Sequence, residues 1–298
     1  MTARATLAGI LLTGVFLSQL NAQEVEFLDV AGPYLGQNPP GNVPEIFAPG
    51  IISVDENFEH SAAAVSHDGR EIFWCTNVDW YTEHRQQGML RLYYSEMIDG
   101  RWTAPRIVPF TDESVERPMF SPDGNSLYFE KIRAPDQVDN MDIFVVHRTG
   151  DGWSEPVPVS SLINSPAIER LHCVAGDGSL YFARDPFTSR EEIFVSRLAD
   201  GEFTEPEELG ESFNSEAGEL ALILSPDESF MLIDVMNDHY TSDLYVSYRN
   251  ADGSWSERVR TPYECGGFLS LSTDGRYLFL LGEGICWVST AFVEDLRP

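Results

Sequence analysis

Lysine is nearly missing from this chain. Lys131 is the one lysine in 298 residues, beside eighteen arginines, and 48 acidic residues against 19 basic ones leave a formal charge of −29. So little positive charge excludes nucleic acid as a partner, because such binding rests on neutralising phosphates with a basic surface. It also excludes docking on anionic lipid headgroups. An acidic shell instead keeps a protein soluble and draws cations toward it. The same shortage fits a saline habitat, where salt screens carboxylate repulsion, and equally a compositional bias of lineage. Lysine-based chemistry would have to rest on Lys131 alone.

Cysteine is scarce as well: Cys75, Cys173, Cys265 and Cys286, with no C-x-x-C spacing. That excludes a thioredoxin-like redox pair and a zinc site of common spacing. Four cysteines allow three disulfide pairings, among them Cys75 with Cys265 or Cys286. Free, buried thiols are the expectation, since a core of this size needs no staple. The chain also lacks G-x-S-x-G, a P-loop, H-E-x-x-H and G-x-G-x-x-G before a helix, which removes the motif-borne hydrolase, nucleotide and zinc-protease chemistries. Its longest apolar run, Leu7 to Leu17, falls short of the about 20 residues that span a bilayer. With Arg4 before it and Ala22 as a small residue before Gln23, this run has the form of an export signal over residues 1–22. No cysteine follows it to carry a lipid anchor. The expected destination is the periplasm or the exterior, with no membrane insertion once the signal is removed.

What the chain has in abundance is one repeated turn. SPDGNSLYFE from Ser121 recurs as SHDGREIFWC from Ser66, AGDGSLYFAR from Ala175, SPDESFMLID from Ser225 and STDGRYLFLL from Ser272. The turn aspartates Asp68, Asp123, Asp177, Asp227 and Asp274 are spaced by 55, 54, 50 and 47 residues. Asp-Gly between alternating apolar runs is a hairpin signal, and a period of this size marks propeller blades or array units. Each unit carries a short strand, the turn, a second strand, a loop and a third strand such as DIFVVHR or DLYVSYR. A fourth follows with the signature DGRWTAP, DGWSEP, DGEFTEP or DGSWSER. The signature aromatics Trp102, Trp153, Phe203 and Trp255 recur at 51, 50 and 52 residues. Four strands per unit is a propeller blade, which buries both of its faces only by stacking on neighbours. The predicted fold is therefore all-β, a five-bladed propeller of four-stranded antiparallel blades over residues 42–298, after a Pro/Gly-rich lead-in over 23–41 that lies against it.

The fifth unit ends without a fourth strand. The missing strand is expected from the other end of the chain, with Ala48-Pro49-Gly50-Ile51-Ile52 matching Ala104-Pro105-Arg106-Ile107-Val108, and Phe47 or Ile46 in place of the aromatic wedge. Closing the ring this way removes an open sheet edge.

SPDG-x-x-LYF, followed by D-[IL]-[FY]-V and DG-x-W-x-x-P, resembles the WD-like propeller repeats of TolB-type periplasmic proteins, over roughly Pro44 to Pro298. The lead-in GPYLGQNPPG and the ending ICWVSTAFVEDLRP are similar to a group of short secreted bacterial propellers. Departures from the pattern are Glu228 at the turn glycine, His67 at the proline before it and Arg258 at the fourth-strand proline. The resemblance implies the fold and leaves function open, because propellers host binding and catalysis alike.

Counting back seven to ten residues from each turn aspartate gives Glu59, Glu116, Glu169, Glu219 and Glu264, with His60, Arg117, Arg170 and His172 beside them. If these head the innermost strands, they ring one mouth of the central channel. Such a ring would suit a hydrated divalent cation such as Ca2+ or a sugar held by hydrogen bonds. A glutamate repeated in every blade equally suits a cap on its own backbone. The loops between second and third strands, with Asp79, Trp80, Tyr81, Glu83, His84, Asp136, Asp139, Asp185, Arg190, Asp238, His239 and Tyr240, fall at the same end. The leading expectation is a monomeric, non-enzymatic binding module without a cofactor, gripping a polar ligand, glycan or protein at the channel mouth. Its competitor is a glycosidase-like enzyme, which needs two carboxyls about 5–9 Å apart in open space. A partner-docking platform would instead show an exposed apolar patch.

Overall fold

The computed structural model describes residues 25–55, 58–77, 90–132, 141–150, 152–185, 192–210, 213–215, 218–237 and 242–298. Its strands form five antiparallel blades. The first has Phe58–Glu59 and Ala64–Val65 innermost, then Glu71–Asn77 and Arg91–Ile98, with Arg101–Trp102 and Arg106–Ile107 outermost. The second runs Val115–Phe120, Ser126–Ile132, Met141–Thr149 and the outer pieces Gly152–Trp153 and Val157–Pro158. The third is Ile168–Val174, Leu180–Asp185, Glu192–Ser196 and Glu207–Glu208, and the fourth is Glu219–Leu224, Phe230–Met236, Ser242–Tyr248 and Val259–Cys265. The fifth joins Leu269–Leu271, Tyr277–Leu281 and Ile285–Ser289 to Glu45–Ile46 from the start of the chain. The innermost strand of blade five meets that of blade one, and Ser270 Oγ donates to Ala63 O across the join.

The repeated turn works by side-chain bonding to its own backbone. Asp123 Oδ1 accepts from Ser121 Oγ at 2.5 Å and from Asn125 N at 3.0 Å, while Ser121 Oγ accepts from Ser126 N at 2.9 Å. Ser225 with Asp227 and Ser272 with Asp274 repeat the arrangement. This is why Ser and Asp recur two residues apart. Glu228, standing where glycine is expected, takes the positive φ itself at 55°.

Apolar faces of adjacent blades meet around large aromatics. Trp153 lies 5.9 Å from Phe73 of the preceding blade, edge-on, and 6.2 Å from Phe120 of its own. Trp102 is fully buried between blades five and one, and its indole N–H donates to Gly32 O at 2.7 Å. The lead-in does lie against the ring: Tyr34 N donates to Gly69 O at 2.7 Å, and its ring sits 5.2 Å from Tyr277. A Cβ on Gly69 would come within 2.7 Å of that ring, so this turn glycine is held by contact as well as by its φ of +65°.

Closure occurs as expected, in a different register. Ile46 opposes Cys286 and Glu45 opposes Trp287, as Ile107 opposes Tyr93 and Arg106 opposes Tyr94 in blade one. Phe47 N donates to Ile285 O at 2.7 Å, the counterpart of Val108 N to Leu92 O at 3.0 Å. Glu45-Ile46-Phe47 is thus the match of Arg106-Ile107-Val108, five residues before the expected one. The Ala-Pro likeness misleads because residues 48–52 curl instead of extending: Ile51 N and Ile52 N both donate to Ala48 O. Phe47 is not the wedge either. It is buried between blades five and one, 5.0 Å from Phe279 and 5.0 Å from Trp287. Between blades four and five the aromatic is Phe292 of the short helix Phe292–Asp295, 4.8 Å from Tyr263.

Candidate functional site

The innermost strands of blades two, three and four each carry a β-bulge. The register shifts between Glu116 and Met119, between Leu171 and Cys173, and between Glu219 and Ala221. Bulges re-aim side chains, and Arg117 (φ 53°) and His172 sit in two of them. Four of the five expected glutamates, Glu59, Glu116, Glu169 and Glu219, are buried. Glu264 is not among them: it is exposed on the outer strand Val259–Cys265, opposite Asp243. Blade five's innermost strand has only three residues, so ten residues back from Asp274 reaches the rim of the blade before it.

Two of the four glutamates hold backbone. Glu169 accepts from Ser165 N at 3.1 Å and from Arg184 Nε at 3.1 Å; Glu219 accepts from Ser215 N at 2.9 Å and from Arg258 Nη1 at 2.9 Å. The shared Ser-x-x-x-Glu spacing closes a four-residue loop ahead of each strand, and the two arginines neutralise the buried charge. Arg258 therefore has an ion pair where the repeat would have proline.

Glu116 belongs to a second group that crosses from blade one to blade three. Its carboxylate pairs with His60 Nδ1. Burial works to raise the Glu116 carboxyl, but the His60 hydrogen bond and charge, with Arg117 and Arg170, outweigh it and hold the group below its usual range. Arg117 lies over the Phe268 ring at 4.3 Å and brings Nε to 3.4 Å from Glu130. Glu130 is fully buried and accepts from Leu171 N at 2.7 Å. Burial pushes its carboxyl up to about 8 against the pull of Arg117. His172 is 3% exposed, and neither ring nitrogen meets a protein hydrogen-bond partner. Burial, then the charges of Arg117 and Arg170, take its pKa down to about 3. These groups fill the axis. The space left among Ser61, Arg117, Met119, Leu171, Phe268 and Ser270 is about 10 Å³, room for about one water. Among the described residues the space left in the axis is too small for a sugar, and no three His, Cys, Asp or Glu side chains are placed to hold a metal ion.

Open space lies instead where the ring closes. A cleft of about 710 Å³ runs between the closing segment and the loop at Gly282–Gly284. Ile46, Val54, Phe58 and Leu281 form its apolar wall, and Ser53, Asp55, Glu59 and Glu283 supply its polar groups. Ser53 Oγ is fixed by accepting from Ile285 N at 3.1 Å. Glu59 is 6% exposed, and its Oε1 has no hydrogen-bond partner in the protein. Burial raises the Glu59 carboxyl, opposed by the backbone N–H groups of Glu59 and Val54. A size of 300–1,000 Å³, an apolar wall and a few fixed polar groups are what small-molecule sites share.

Of the expected residues, then, the structure gathers His60, Glu116, Arg117, Arg170 and His172 in the axis. It gives Glu169 and Glu219 to loop support and sets Glu59 in the cleft. Sequence reasoning missed Glu130, and also Asp234, which is fully buried and accepts from Ser242 Oγ at 2.9 Å and Gly267 N at 2.8 Å. Both stand seven residues after a turn aspartate, acids within apolar strands, which was the available signal. Asp55 and Glu283 in the cleft had none, because they lie outside the repeat. The loop residues Asp79, Trp80, Tyr81, Glu83, His84, Asp136, Asp139, Arg190, Asp238, His239 and Tyr240, and the side chain of Asp185, lie outside what the structure describes.

The sequence matches no known protein family and no curated protein. Several solved structures are similar to the chain. A protein assigned as TolB from Agrobacterium tumefaciens is 18% identical, with 74% of this chain and 68% of that one covered at a TM-score of 0.49. A gluconolactonase from Xanthomonas campestris is 16% identical, covering 76% and 69% at 0.45. An oligogalacturonate lyase from Vibrio parahaemolyticus is 14% identical, covering 82% and 69% at 0.45.

Proposed function

We propose that this protein is an exported, non-catalytic binding module that takes a small polar ligand in the cleft where blade five meets blade one. The observation that carries this reading is the pairing of an open cleft of about 710 Å³ with a buried carboxylate oxygen, Glu59 Oε1, that the protein leaves without a partner. A buried acceptor without a donor costs about 1–3 kcal/mol, and a ligand donor recovers that cost on binding. The mouth of the ring remains the binding end, and the ligand sits beside the channel instead of in it. Export rests on the form of residues 1–22. The glycosidase reading finds no support in the described channel glutamates, since Glu116 is bonded by His60, Glu169 and Glu219 are paired with arginines, and Glu130 is engaged by Arg117 and Leu171 N.

The test is a thermal-shift screen of sugars, amines and divalent cations on the wild type and on Val54→Trp, which fills the cleft from its apolar wall. A compound that raises the melting temperature of the wild type and not of a folded Val54→Trp supports the reading. Ligands that stabilise both proteins equally place binding elsewhere.

A further inference from the structure

The polar groups of the cleft share one sign. Asp55, Glu59 and Glu283 line it, and among the described residues no lysine, arginine or histidine does. Elsewhere in this end of the ring Arg117 faces Glu130, Arg184 pairs with Glu169, Arg258 pairs with Glu219 and His60 bonds Glu116, while Asp234 is held by Ser242 Oγ and Gly267 N instead of a cation. Glu59 is as deeply buried, lines the cleft, and has neither a cation beside it among the described residues nor a hydrogen-bond partner for its Oε1. From this we infer that the ligand brings the missing cation, as an organic ammonium group on an apolar body, with Glu59 as its counter-ion. The inference rests on the cleft being the binding site.

Three features narrow the class. Among the described residues an anion would meet three carboxylates and no base, in a protein of charge −29, so acidic sugars and phosphates are disfavoured. A bare divalent ion needs several converging oxygens, and the described residues hold no such cluster. A cleft of about 710 Å³ is also far larger than an ion requires. Ile46, Val54, Phe58 and Leu281 give the ligand an apolar wall, and an aromatic ring beside a carboxylate suits an ammonium through both charge and the ring face. Affinity should rise with pH through the range where Glu59 ionises, because only the charged carboxylate pairs with the ammonium. That range lies above the usual one for glutamate, since burial raises the group.

The experiment is isothermal titration calorimetry in low salt at pH 7.5, with 2-phenylethylamine, its neutral match 2-phenylethanol, and glucose. The proteins are wild type, Glu59→Gln and Val54→Trp. The expected result is saturable binding of the amine to wild type, at least tenfold tighter than the alcohol. Glu59→Gln should lose at least tenfold in amine affinity while its alcohol affinity stays the same. Gln keeps the shape and relieves a buried charge, so folding of that variant is not at risk, and its melting curve verifies this. Equal affinity for amine and alcohol, no loss in Glu59→Gln, or no amine binding at all would overturn the inference. If the alcohol or glucose binds to wild type and not to folded Val54→Trp, the cleft stands as the site and only the ammonium class fails. If Val54→Trp binds every probe as wild type does, the site and the inference fail together.

Discussion

Acid should weaken this fold through one side chain, His172. The residue occupies the bulge of the innermost strand of blade three, 3% exposed, between the positive charges of Arg117 and Arg170 and beside the axis that holds Glu116 and Glu130. Its pKa falls from 6.5 to about 3 on folding. Below pH 6.5 the unfolded chain therefore binds a proton that the native protein refuses, and stability drops as pH falls toward 3. Between pH 7.5 and pH 5 the loss comes to about 2 kcal/mol, from 1.36 kcal/mol per unit of separation. Glu130 pulls the other way. Its carboxyl is raised to about 8, so its burial costs less as pH drops from 8 toward 4.5. The raw stability curve mixes the two, and only a difference isolates His172. Urea unfolding of wild type and His172→Leu at pH 7.5 and pH 5 supplies it. The variant should be about 2 kcal/mol better off than wild type at pH 5 relative to their difference at pH 7.5. At pH 7.5 it should be no less stable beyond its change in packing, since two ring nitrogens without protein partners are removed. The same difference at both pH values would refute the argument and mean that the imidazole protonates in the native state.

Phe47→Ala removes a fully buried ring from between blades five and one, and should cost about 3–5 kcal/mol in urea unfolding. A loss under 1 kcal/mol would show that the closing segment adds little to the core. Glu169→Gln and Glu219→Gln should each lower stability by about 1–3 kcal/mol, because Ser165 N and Ser215 N lose a charged acceptor and Arg184 and Arg258 lose a counter-ion. Neither should change the affinity for any ligand of the cleft, and a tenfold change in calorimetry would return them to the binding site.

The architecture was legible because the Ser-Pro-Asp-Gly turn is a local device. Its hydrogen bonds run between residues two to five apart, so every copy carries its own signal in the chain. The register of closure was not legible. A strand of two residues, Glu45–Ile46, has no alternation to align, and the Ala-Pro pair that seemed to mark it belongs to a turn. For the site, counting from the turn placed Glu59, Glu116, Glu169 and Glu219 at one end correctly and failed at Glu264, where the innermost strand is short. Counting could not distinguish a glutamate that caps a loop, as Glu169 does, from one that lines a cleft, as Glu59 does. That distinction depends on which arginine arrives from a neighbouring strand.

The cleft exists only if the start of the chain pairs with the last strand in the register described, with Ile46 opposite Cys286. Cross-strand neighbours in an antiparallel pair have Cα atoms about 4.5–5.5 Å apart, within reach of a disulfide. Ile46→Cys, oxidised under mild conditions, should form a bond with the native Cys286, seen by mass spectrometry as a single peptide pair joining residues 46 and 286. Ile51→Cys should form none with Cys286, because it lies within the turn at residues 48–52. A bond from position 51 with none from position 46 would contradict the closure and remove the cleft with it.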